Sequence, residues 1–578
     1  MGNNLQLRFW PLIPRLASAD RSIPFAIEVT GIGSSPDRYS FALRIDRLGH
    51  VLITEHWEKY LSTSEASDVV RFEYTISLSS QINPEGQQAG LGIFLSVTDS
   101  EGNSAQSKTA IDLGIHTVRY GFLCNFASED LPSRKACVDF LLQQHCTHVQ
   151  FYDWSYRPHQ YLPESHVTGE GTYHDLMNKP IDSNVVRTSI RTLHDVGIHA
   201  IAYGAVYAAP REYLDSHPDQ ALYDSNQNPI DLIDRFFIMN VAAGNPWREL
   251  LLKQYRAAID TLGFDGIHMD TYGYPKIAFD YAGKRVYLDK EFVSLIDDWA
   301  KNKNRNIFNN VGGWPSSLTA TCSQEAIYIE VWDPHTEYRH LRQLALEHQR
   351  FKKPLIFAAY ALSYKPDETP DSSRSLASTC LLMATSCAHG ATLLLFGEDG
   401  GILTQPYYVD HTVLNPHDRR VLTQYTDFSV QYGELLYGTS LIDITESFAT
   451  GENREFSFFI NEKGRRIPNT RISCDGQPNT LWPIVHMTKT RIVINLLNLL
   501  GQDNARWDEG KNPQEKERSV TIQIPIYSQQ MRLFTASPEI DDGRAHPLEW
   551  QEVTGIRGPS AETTIVLQSF WTLIWAEL

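Results

Sequence analysis

The 578-residue chain has no run of 18 apolar residues, no CxxC pair and no excess of positive charge. Without such an apolar run, no membrane-spanning helix is predicted. The net charge of −18 argues against nucleic acids and anionic membranes as partners, because both are polyanions. The seven cysteines are odd in number and scattered, which predicts free thiols and neither a disulfide framework nor a zinc site.

Sequence motifs of several enzyme classes are missing as well. The chain has no GxSxG elbow, no P-loop, no HExxH and no GxGxxG after a strand. Its histidines are dispersed and do not form a metal-ligand pattern. We therefore predict that the protein uses neither a metal nor a cofactor, and we make no prediction of its oligomeric state.

The N-terminus has a short apolar patch interrupted by two prolines, which makes a poor signal peptide. We expect a cytoplasmic protein if this terminus is native, and a secreted one if a signal peptide has been removed.

The texture of the sequence changes twice along the chain, and its length predicts two to four domains. Residues 1–115 contain short alternating strands separated by turns, which predicts an immunoglobulin-like β-sandwich. Residues 116–440 alternate strands with helices, which predicts a (β/α)8 TIM barrel. Residues 441–578 return to strands without long helices, and we expect a C-terminal β-sandwich there.

Eight apolar segments are candidates for the barrel strands. The interval between the third and the fourth is long, which predicts a sizeable loop over the barrel. The segments are residues 121–126, 148–154, 198–204, 266–270, 306–311, 326–331, 354–360 and 391–398.

Two strand ends carry carboxylates suited to cleaving a glycosidic bond. Asp270 ends the strand of LGFDGIHMDTYG, and Glu330 lies at the end of AIYIEVW. In a barrel, both would lie at the catalytic face and could act as nucleophile or base and as acid. Asp265 lies an odd number of residues from Asp270, so it points to the other side and is expected to be a turn residue.

Further polar and aromatic residues follow the same strand ends and are candidate sugar contacts, because aromatic rings offer flat apolar platforms. A core tryptophan with a capping aspartate, or an acid that anchors a loop, remains the alternative for each. Asn309 and Asn310 are adjacent in sequence, and of the two we predict Asn310 as the sugar contact. The candidates are Tyr152, Asp153, Trp154, Tyr203, Tyr207, His268, Asn310, Trp332 and Glu398.

Several ordered blocks resemble glycoside hydrolase family 66, the dextranases and cycloisomaltooligosaccharide glucanotransferases. The resemblance covers roughly residues 119–515. No single block is specific for the family, but the set of blocks is. The blocks are RYGFLCNF, HVQFYDWSYR, IAYGAVYAA, GFDGIHMDTYG, FNNVGGW, YIEVWDP, LLLFGEDGGILTQPYY, YTDFSVQYGELL and RIVINLLNLLG with ARWDEGKNP.

The resemblance implies an immunoglobulin-like domain, a barrel and a C-terminal β-sandwich, together with cleavage of α-1,6-glucosidic bonds with retention. It implies Asp270 as the nucleophile and Glu330 as the acid/base. It also implies sugar contacts at Asp153 and the aromatic residues at 152, 154, 203 and 207. A retaining pair should lie ~5–5.5 Å apart, and the acid should have a raised pKa.

The expected substrate is therefore dextran or an isomaltooligosaccharide. The glucanotransferase branch carries an inserted carbohydrate-binding module for which this chain has no room, which favours hydrolysis. If the enzyme works inside the cell, imported linear or cyclic isomaltooligosaccharides are the expected substrates. The alternatives are a transglycosylase that forms cyclic isomaltooligosaccharides, a hydrolase that opens them, and a non-catalytic glucan-binding protein.

Overall fold

The computed structural model describes most of the chain. Residues 406–408, at the end of the block that follows the eighth strand, lie outside the described residues. The described residues are 5–17, 20, 22–63, 68–78, 88–164, 171–232, 235–301, 305–365, 372–405, 409–462, 464–468, 471–514 and 516–578.

The first part of the chain forms two antiparallel sheets that enclose an apolar core. Alternating burial along the strands turns one face of each sheet to this core. The three-stranded sheet contains Gln6–Pro11, Ser22–Thr30 and Val69–Ser77 in that order. The four-stranded sheet runs His50–Leu61, Asp37–Arg47, Ala89–Thr98 and Ser104–Leu113.

Eight parallel strands form the centre of the molecule, and each pairs with the next one along the chain. The amide of Phe122 donates to the carbonyl of Phe396 at 3.1 Å, which joins the first strand to the segment after the eighth. A Cβ at Gly397 would collide with the Phe122 carbonyl, so this junction requires glycine. The strands are Tyr120–Leu123, His148–Phe151, His199–Ala205, Gly266–Asp270, Arg305–Val311, Ile327–Glu330, Leu355–Ala358 and Ala391–Leu393.

Helices separate most of these strands, and their ends follow ordinary capping rules. The helix Pro246–Leu262 is an example. The side chain of Asn245, just before it, accepts a hydrogen bond from the Trp247 amide, and Gly263, with φ 92°, caps its carboxyl end. The other helices of this part are Arg134–Gln143, Ser183–Asp195, Arg211–Ser216, Leu288–Ala300, Ser316–Thr319, Tyr338–Gln349, Ser372–Ala388, Pro416–Gln431 and Gly433–Leu436.

Short strands lie in the connections between barrel elements. The long interval between the third and fourth barrel strands holds Ala208–Ala209, Asp231–Leu232 and Phe236–Ile238, which pair with one another, and Leu232 reaches the cavity described below. Three hairpins belong to other connections: Thr172–His174 with Pro180–Asp182, Ile277–Phe279 with Arg285–Tyr287, and Gly401–Leu403 with His411–Val413.

The last part of the chain forms two further antiparallel sheets around a second β core. The six-stranded sheet contains Ile442–Asp443, Leu481–Met487, Arg491–Asn498, Trp571–Glu577, Arg532–Ala536 and His546–Leu548. The five-stranded sheet contains Arg465–Pro468, Ser457–Glu462, Arg518–Pro525, Pro559–Leu567 and Gln551–Thr554.

The predicted domain boundary at 115/116 falls between the N-terminal sheets and the first barrel strand, and the one at 440/441 falls between the helix Gly433–Leu436 and the strand Ile442–Asp443. They stay predictions. All seven cysteines are described and none forms a disulfide. In the described part of the chain, no helix has both the length and the hydropathy needed to cross a bilayer.

Candidate active site

A cavity of about 450 Å³ opens at the carboxyl ends of the barrel strands. Eight of the residues predicted from sequence line it: Tyr152, Asp153, Tyr203, Tyr207, His268, Asp270, Glu330 and Trp332. Other residues that line it and matter below are Lys276, Asn309, Trp314, Tyr328 and Tyr360.

Asp270 is the last residue of the fourth barrel strand, and its carboxylate faces the cavity. The Tyr203 hydroxyl, from the neighbouring third strand, donates to Asp270 Oδ2 at 2.7 Å. Asn309 Nδ2, from the fifth strand on the other side, donates to Asp270 Oδ1 at 2.7 Å. The two flanking strands therefore hold both carboxylate oxygens.

Glu330 ends the sixth strand and is 7 % exposed. The same Asn309 Nδ2 that contacts Asp270 donates to Glu330 Oε2 at 2.9 Å. The Tyr360 hydroxyl donates to the other oxygen, Oε1, at 2.7 Å. Because one nitrogen contacts both acids, their nearest oxygens lie within about two hydrogen-bond lengths, at most ~5.6 Å.

Burial and mutual charge shift the titration of both acids. Burial and the charge of Asp270 raise the pKa of Glu330 to about 7, although hydrogen bonds from Asn309, Tyr360 and Trp332 oppose the rise. Burial also raises the pKa of Asp270 above its ordinary value. Hydrogen bonds from Asn309, Tyr203, the Thr271 amide and Tyr207 favour the ionised form of Asp270 and limit that rise.

Aromatic rings form the floor and walls around the two acids. His268 lies two residues before Asp270 on the same face of its strand, and its ring packs edge-on against Tyr328 at 4.8 Å. Tyr203 lies nearly parallel to His268 at 6.3 Å and against Tyr152 at 5.8 Å. Burial lowers the pKa of His268 to about 3, so this ring is neutral.

One rim of the cavity carries a tryptophan and a cation. Lys276 Nζ lies 5.1 Å from the ring centroid of Trp314, within cation–π range, and both residues line the cavity.

Asp153 lines the cavity just beyond the end of the second barrel strand, and its backbone is left-handed, with φ 48°. Such a conformation is uncommon for a residue with a side chain. Burial and the charge of Asp175 raise the pKa of Asp153 to about 6, while Lys179 acts in the opposite direction.

The profile of glycosyl hydrolase family 66 matches residues 19–575, nearly the whole chain. The chain belongs to glycosyl hydrolase family 66. This confirms the family assignment made from the sequence blocks and the prediction that the protein is an enzyme.

Two relatives of this chain are named for different activities on glucans. A cycloisomaltooligosaccharide glucanotransferase of Niallia circulans is 22% identical over 627 residues, which cover 82% of this chain and 63% of the relative. A dextranase of Streptococcus salivarius is 22% identical over 506 residues, which cover 76% of this chain and 60% of the relative. The chain thus spans less than two thirds of the length of these relatives.

A solved structure of this family has the same architecture. It is a cycloisomaltooligosaccharide glucanotransferase of Paenibacillus sp., complexed with cycloisomaltoheptaose. The TM-score is 0.83 at 19% identity, covering 98% of this chain and 99% of that chain. At this identity the likeness concerns the fold, and it confirms the predicted fold class.

Three of the predicted sugar contacts do not line the cavity of this family 66 protein. Trp154 is fully buried; its Nε1 donates to the Tyr203 carbonyl at 3.2 Å, and its ring packs on Phe264 at 5.0 Å. Asn310 is also fully buried and donates to the carbonyls of Phe308 and Tyr328. Both lie behind the cavity wall and not in it.

Glu398 is the third such residue. It is fully buried and forms an ion pair with Arg134. The amides of Cys124 and Asn125 donate to its Oε2, each at 3.0 Å. These contacts connect the first barrel strand and the first helix to the segment after the eighth strand, so Glu398 anchors a loop.

Two residues that contact the acids were not selected from sequence. Asn309 contacts both acids in place of the predicted Asn310, and strand alternation distinguishes the two residues. Asn309 pairs with Tyr328, which faces the barrel interior two residues before Glu330, so Asn309 shares the face of Glu330. Tyr360 lies two residues beyond the seventh strand and ends the predicted segment 354–360, and alternation puts it on the same side as Ile356 and Ala358.

Asp265 lies away from the cavity and holds the start of the fourth strand. Its Oδ2 accepts from His194 Nε2 and from the Ala200 amide, each at 2.8 Å. Among the described residues, one cluster has the spacing of metal ligands, formed by Cys137, Glu398 and Asp399. In this cluster, Glu398 is already paired with Arg134.

Proposed function

We propose that the protein is a retaining glycosidase that cleaves α-1,6-glucosidic bonds of dextran or isomaltooligosaccharides. The observation that carries the proposal is the bridge formed by Asn309 between Asp270 and Glu330. It keeps the nearest carboxylate oxygens within ~5.6 Å, which suits a retaining pair, with carboxyl groups ~5–5.5 Å apart, better than an inverting pair at about 6.5–9.5 Å.

The unequal surroundings of the two acids support distinct roles. Asp270 accepts hydrogen bonds from Tyr203 and Asn309, which favour its ionised form and suit a nucleophile. Glu330 has a pKa of about 7 and can hold a proton near neutrality, as a general acid requires.

The proposed reaction is a double displacement. The Asp270 carboxylate attacks the anomeric carbon while Glu330 protonates the departing glycosidic oxygen, which forms a β-glucosyl ester. Glu330, now ionised, takes a proton from water as the water attacks the same carbon and releases Asp270. Two inversions give net retention.

Several features support a glucan as the substrate. The aromatic walls formed by Tyr152, Tyr203 and Tyr207 suit the apolar faces of a pyranose ring, and Asp153 offers an acceptor for sugar hydroxyls. The proposed linkage is inferred from the family 66 relatives, which are a dextranase and a cycloisomaltooligosaccharide glucanotransferase.

The experiment that separates the two roles uses an activated α-glucoside with azide as an external nucleophile. In Asp270→Gly, azide should replace the missing nucleophile and give the β-glucosyl azide. In Glu330→Gly, it should attack the glucosyl ester and give the α-glucosyl azide. Asp265→Asn is the matched control and should keep wild-type turnover with α-product. The same azide anomer from both glycine variants would contradict the assignment.

A transferase that makes cyclic isomaltooligosaccharides is the second candidate. It is favoured by the similarity to cycloisomaltooligosaccharide glucanotransferases, one of which aligns with 82% of this chain. In this case a sugar hydroxyl, and not water, attacks the glucosyl ester. Dextran products resolved by size and cyclicity distinguish the two: linear oligosaccharides indicate hydrolysis, and cyclic ones indicate transfer. Binding of dextran without any product would indicate a glucan-binding protein.

A further inference from the structure

A second cavity, of about 750 Å³, shares no lining residue with the active-site cavity. It lies between two edge strands of the N-terminal sheets, Gln6–Pro11 and Ser104–Leu113, and the helix Pro416–Gln431. The helix turns one face to it, because its lining residues recur at spacings of three and four along the chain. The cavity thus joins the N-terminal sheets to the barrel.

Four cations line this cavity, although the chain as a whole carries a net charge of −18. They are Arg8, Lys108, Arg419 and Arg420. Within the described ranges, the last three have no carboxylate at ion-pairing distance. Arg8 and Arg420 are exposed and the other two are half-buried, so the cavity presents a positively charged surface that a dissolved anion can reach.

Two of the arginines converge on one point. Arg8 Nη2 and Arg419 Nη2 each donate to the same oxygen, Gln143 Oε1, at 3.1 Å. Burial and the nearby charge of Arg8 lower the pKa of Arg419, as expected for two neighbouring guanidinium groups. Their shared acceptor is a neutral amide, and the ion pair of Arg8 with Glu28 is long, at 3.6 Å. An oxyanion has several oxygens, so it can accept hydrogen bonds from both guanidinium groups at once.

Lys108 also lines this cavity, although its amine is shielded from the solvent-filled space. Its Nζ is buried without a hydrogen-bond partner and lies 5.8 Å from the Phe428 ring centroid. Burial lowers its pKa to about 8, and the charges of Asp427 and Asp542 partly compensate.

The two acids that line the cavity leave it positive. Asp427 already accepts from His145 Nε2 at 2.7 Å and from Thr109 Oγ1 at 3.3 Å. Asp542 acts on Lys108 only at a distance greater than an ion pair. Four cations therefore face two carboxylates, of which one is engaged elsewhere.

We propose that this cavity binds the oxyanion group of a small soluble metabolite, with Arg8 and Arg419 as the paired ligands and Lys108 and Arg420 as additional positive charge. The cavity volume of about 750 Å³ is many times the roughly 30 Å³ that one water molecule occupies in the liquid, so the cavity is much larger than one phosphate. It therefore has room for a phosphorylated or carboxylated organic body. The proposal does not depend on the proposed catalytic function.

The test measures binding by calorimetry and thermal unfolding at pH 7 and constant ionic strength. The probes are inorganic phosphate, citrate and glucose 6-phosphate, with chloride and glucose as the negative probes. Wild-type protein should bind the oxyanions and unfold at a higher temperature in their presence, whereas chloride and glucose should have no effect. A tighter dissociation constant for glucose 6-phosphate or citrate than for phosphate would identify the organic body.

Two arginine variants and a matched control test whether the oxyanions bind at this cavity. Arg419→Gln and Arg8→Gln should each weaken binding by about tenfold or more, because each removes a charge-assisted contact. Arg8 is 59% exposed in its side chain, so its variant keeps the fold even if Arg419→Gln does not. Arg191→Gln, on an exposed position of the helix Ser183–Asp195, should bind as wild type. Turnover of an α-1,6-glucan should be unchanged in all three.

The proposal is overturned if phosphate, citrate and glucose 6-phosphate all act on the wild type as chloride does. It is also overturned if Arg8→Gln binds the oxyanions as tightly as Arg191→Gln does. Loss of α-1,6-glucan turnover in the active-site variants leaves this site unaffected, so the two proposals fail independently.

Discussion

Removing a single hydroxyl group, that of Tyr360, should move the alkaline limb of the pH–activity profile. It donates to Glu330 Oε1 at 2.7 Å, and this hydrogen bond stabilises the ionised carboxylate. In Tyr360→Phe the ionised form loses that donor, so the pKa of Glu330 must rise. Because Glu330 acts as an acid when protonated, activity should persist to higher pH.

The size of the shift follows from the strength of the bond. A hydrogen bond to a charged group contributes about 1.5–3 kcal/mol, and 1.36 kcal/mol corresponds to one pKa unit. Asn309 and Trp332 continue to donate to Glu330, so we take the low end, about one unit. The alkaline limb of kcat/KM should move from about 7 to about 8.

Two matched variants test whether each limb belongs to the acid assigned to it. Tyr203 donates to Asp270 and not to Glu330, so Tyr203→Phe should raise the acid limb alone. Asn309 donates to both acids, so Asn309→Ala should raise both limbs together. The limbs describe the interacting pair, which is why the comparison among variants matters more than any single value.

The assay is the pH dependence of kcat/KM on a soluble isomaltooligosaccharide from pH 4 to pH 10. Circular dichroism at each end of this range checks that the variants stay folded. An alkaline limb that stays in place or moves to lower pH in Tyr360→Phe would refute the reasoning. So would an Asn309→Ala profile in which only one limb moves.

Three further predictions concern residues behind the site. Trp154→Ala should lower the free energy of unfolding by about 3–5 kcal/mol in urea, because the side chain is fully buried. Glu398→Gln should cost about 3–5 kcal/mol by leaving Arg134 buried without its partner, with KM unchanged, since Glu398 does not line the cavity. Burial alone would raise the pKa of Asp265, but hydrogen bonds from two histidines and a backbone amide lower it to about 2. Ionised Asp265 therefore stabilises the fold above its unfolded pKa, and this stabilisation is lost as the pH falls through about 2. In denaturant titrations, Asp265→Asn should lower the free energy of unfolding by about 1 kcal/mol at pH 6 and leave it unchanged near pH 1.

The barrel strands were predictable because each is a short apolar run between helical segments. The predicted segment 266–270 coincides with the strand Gly266–Asp270, whereas the segment 391–398 shortens to Ala391–Leu393. The difference arises because the chain leaves regular pairing after Leu393 and closes the barrel through Phe396 and Gly397. An apolar run cannot tell a paired strand from an apolar segment that packs without pairing.

The candidate site was predictable wherever direction follows from position on a strand. Alternation separated Asp265 from Asp270, and the same rule, applied to FNNV, would have chosen Asn309 over Asn310. Trp154 and Glu398 follow strand ends as the true lining residues do, yet both are buried. Their directions depend on neighbours distant in sequence, Phe264 for one and Arg134 for the other.

By itself, the sequence determined the family, the order of the three parts and the two acids at strand ends, because these depend on local patterns and on blocks that keep their order. Only the tertiary structure decided that one amide joins Asp270 to Glu330, that the Tyr360 hydroxyl opposes the rise in the pKa of Glu330, and where four cations gather beside the N-terminal sheets. Each of these depends on side chains from separate strands or helices that meet in space, and no local pattern encodes that meeting.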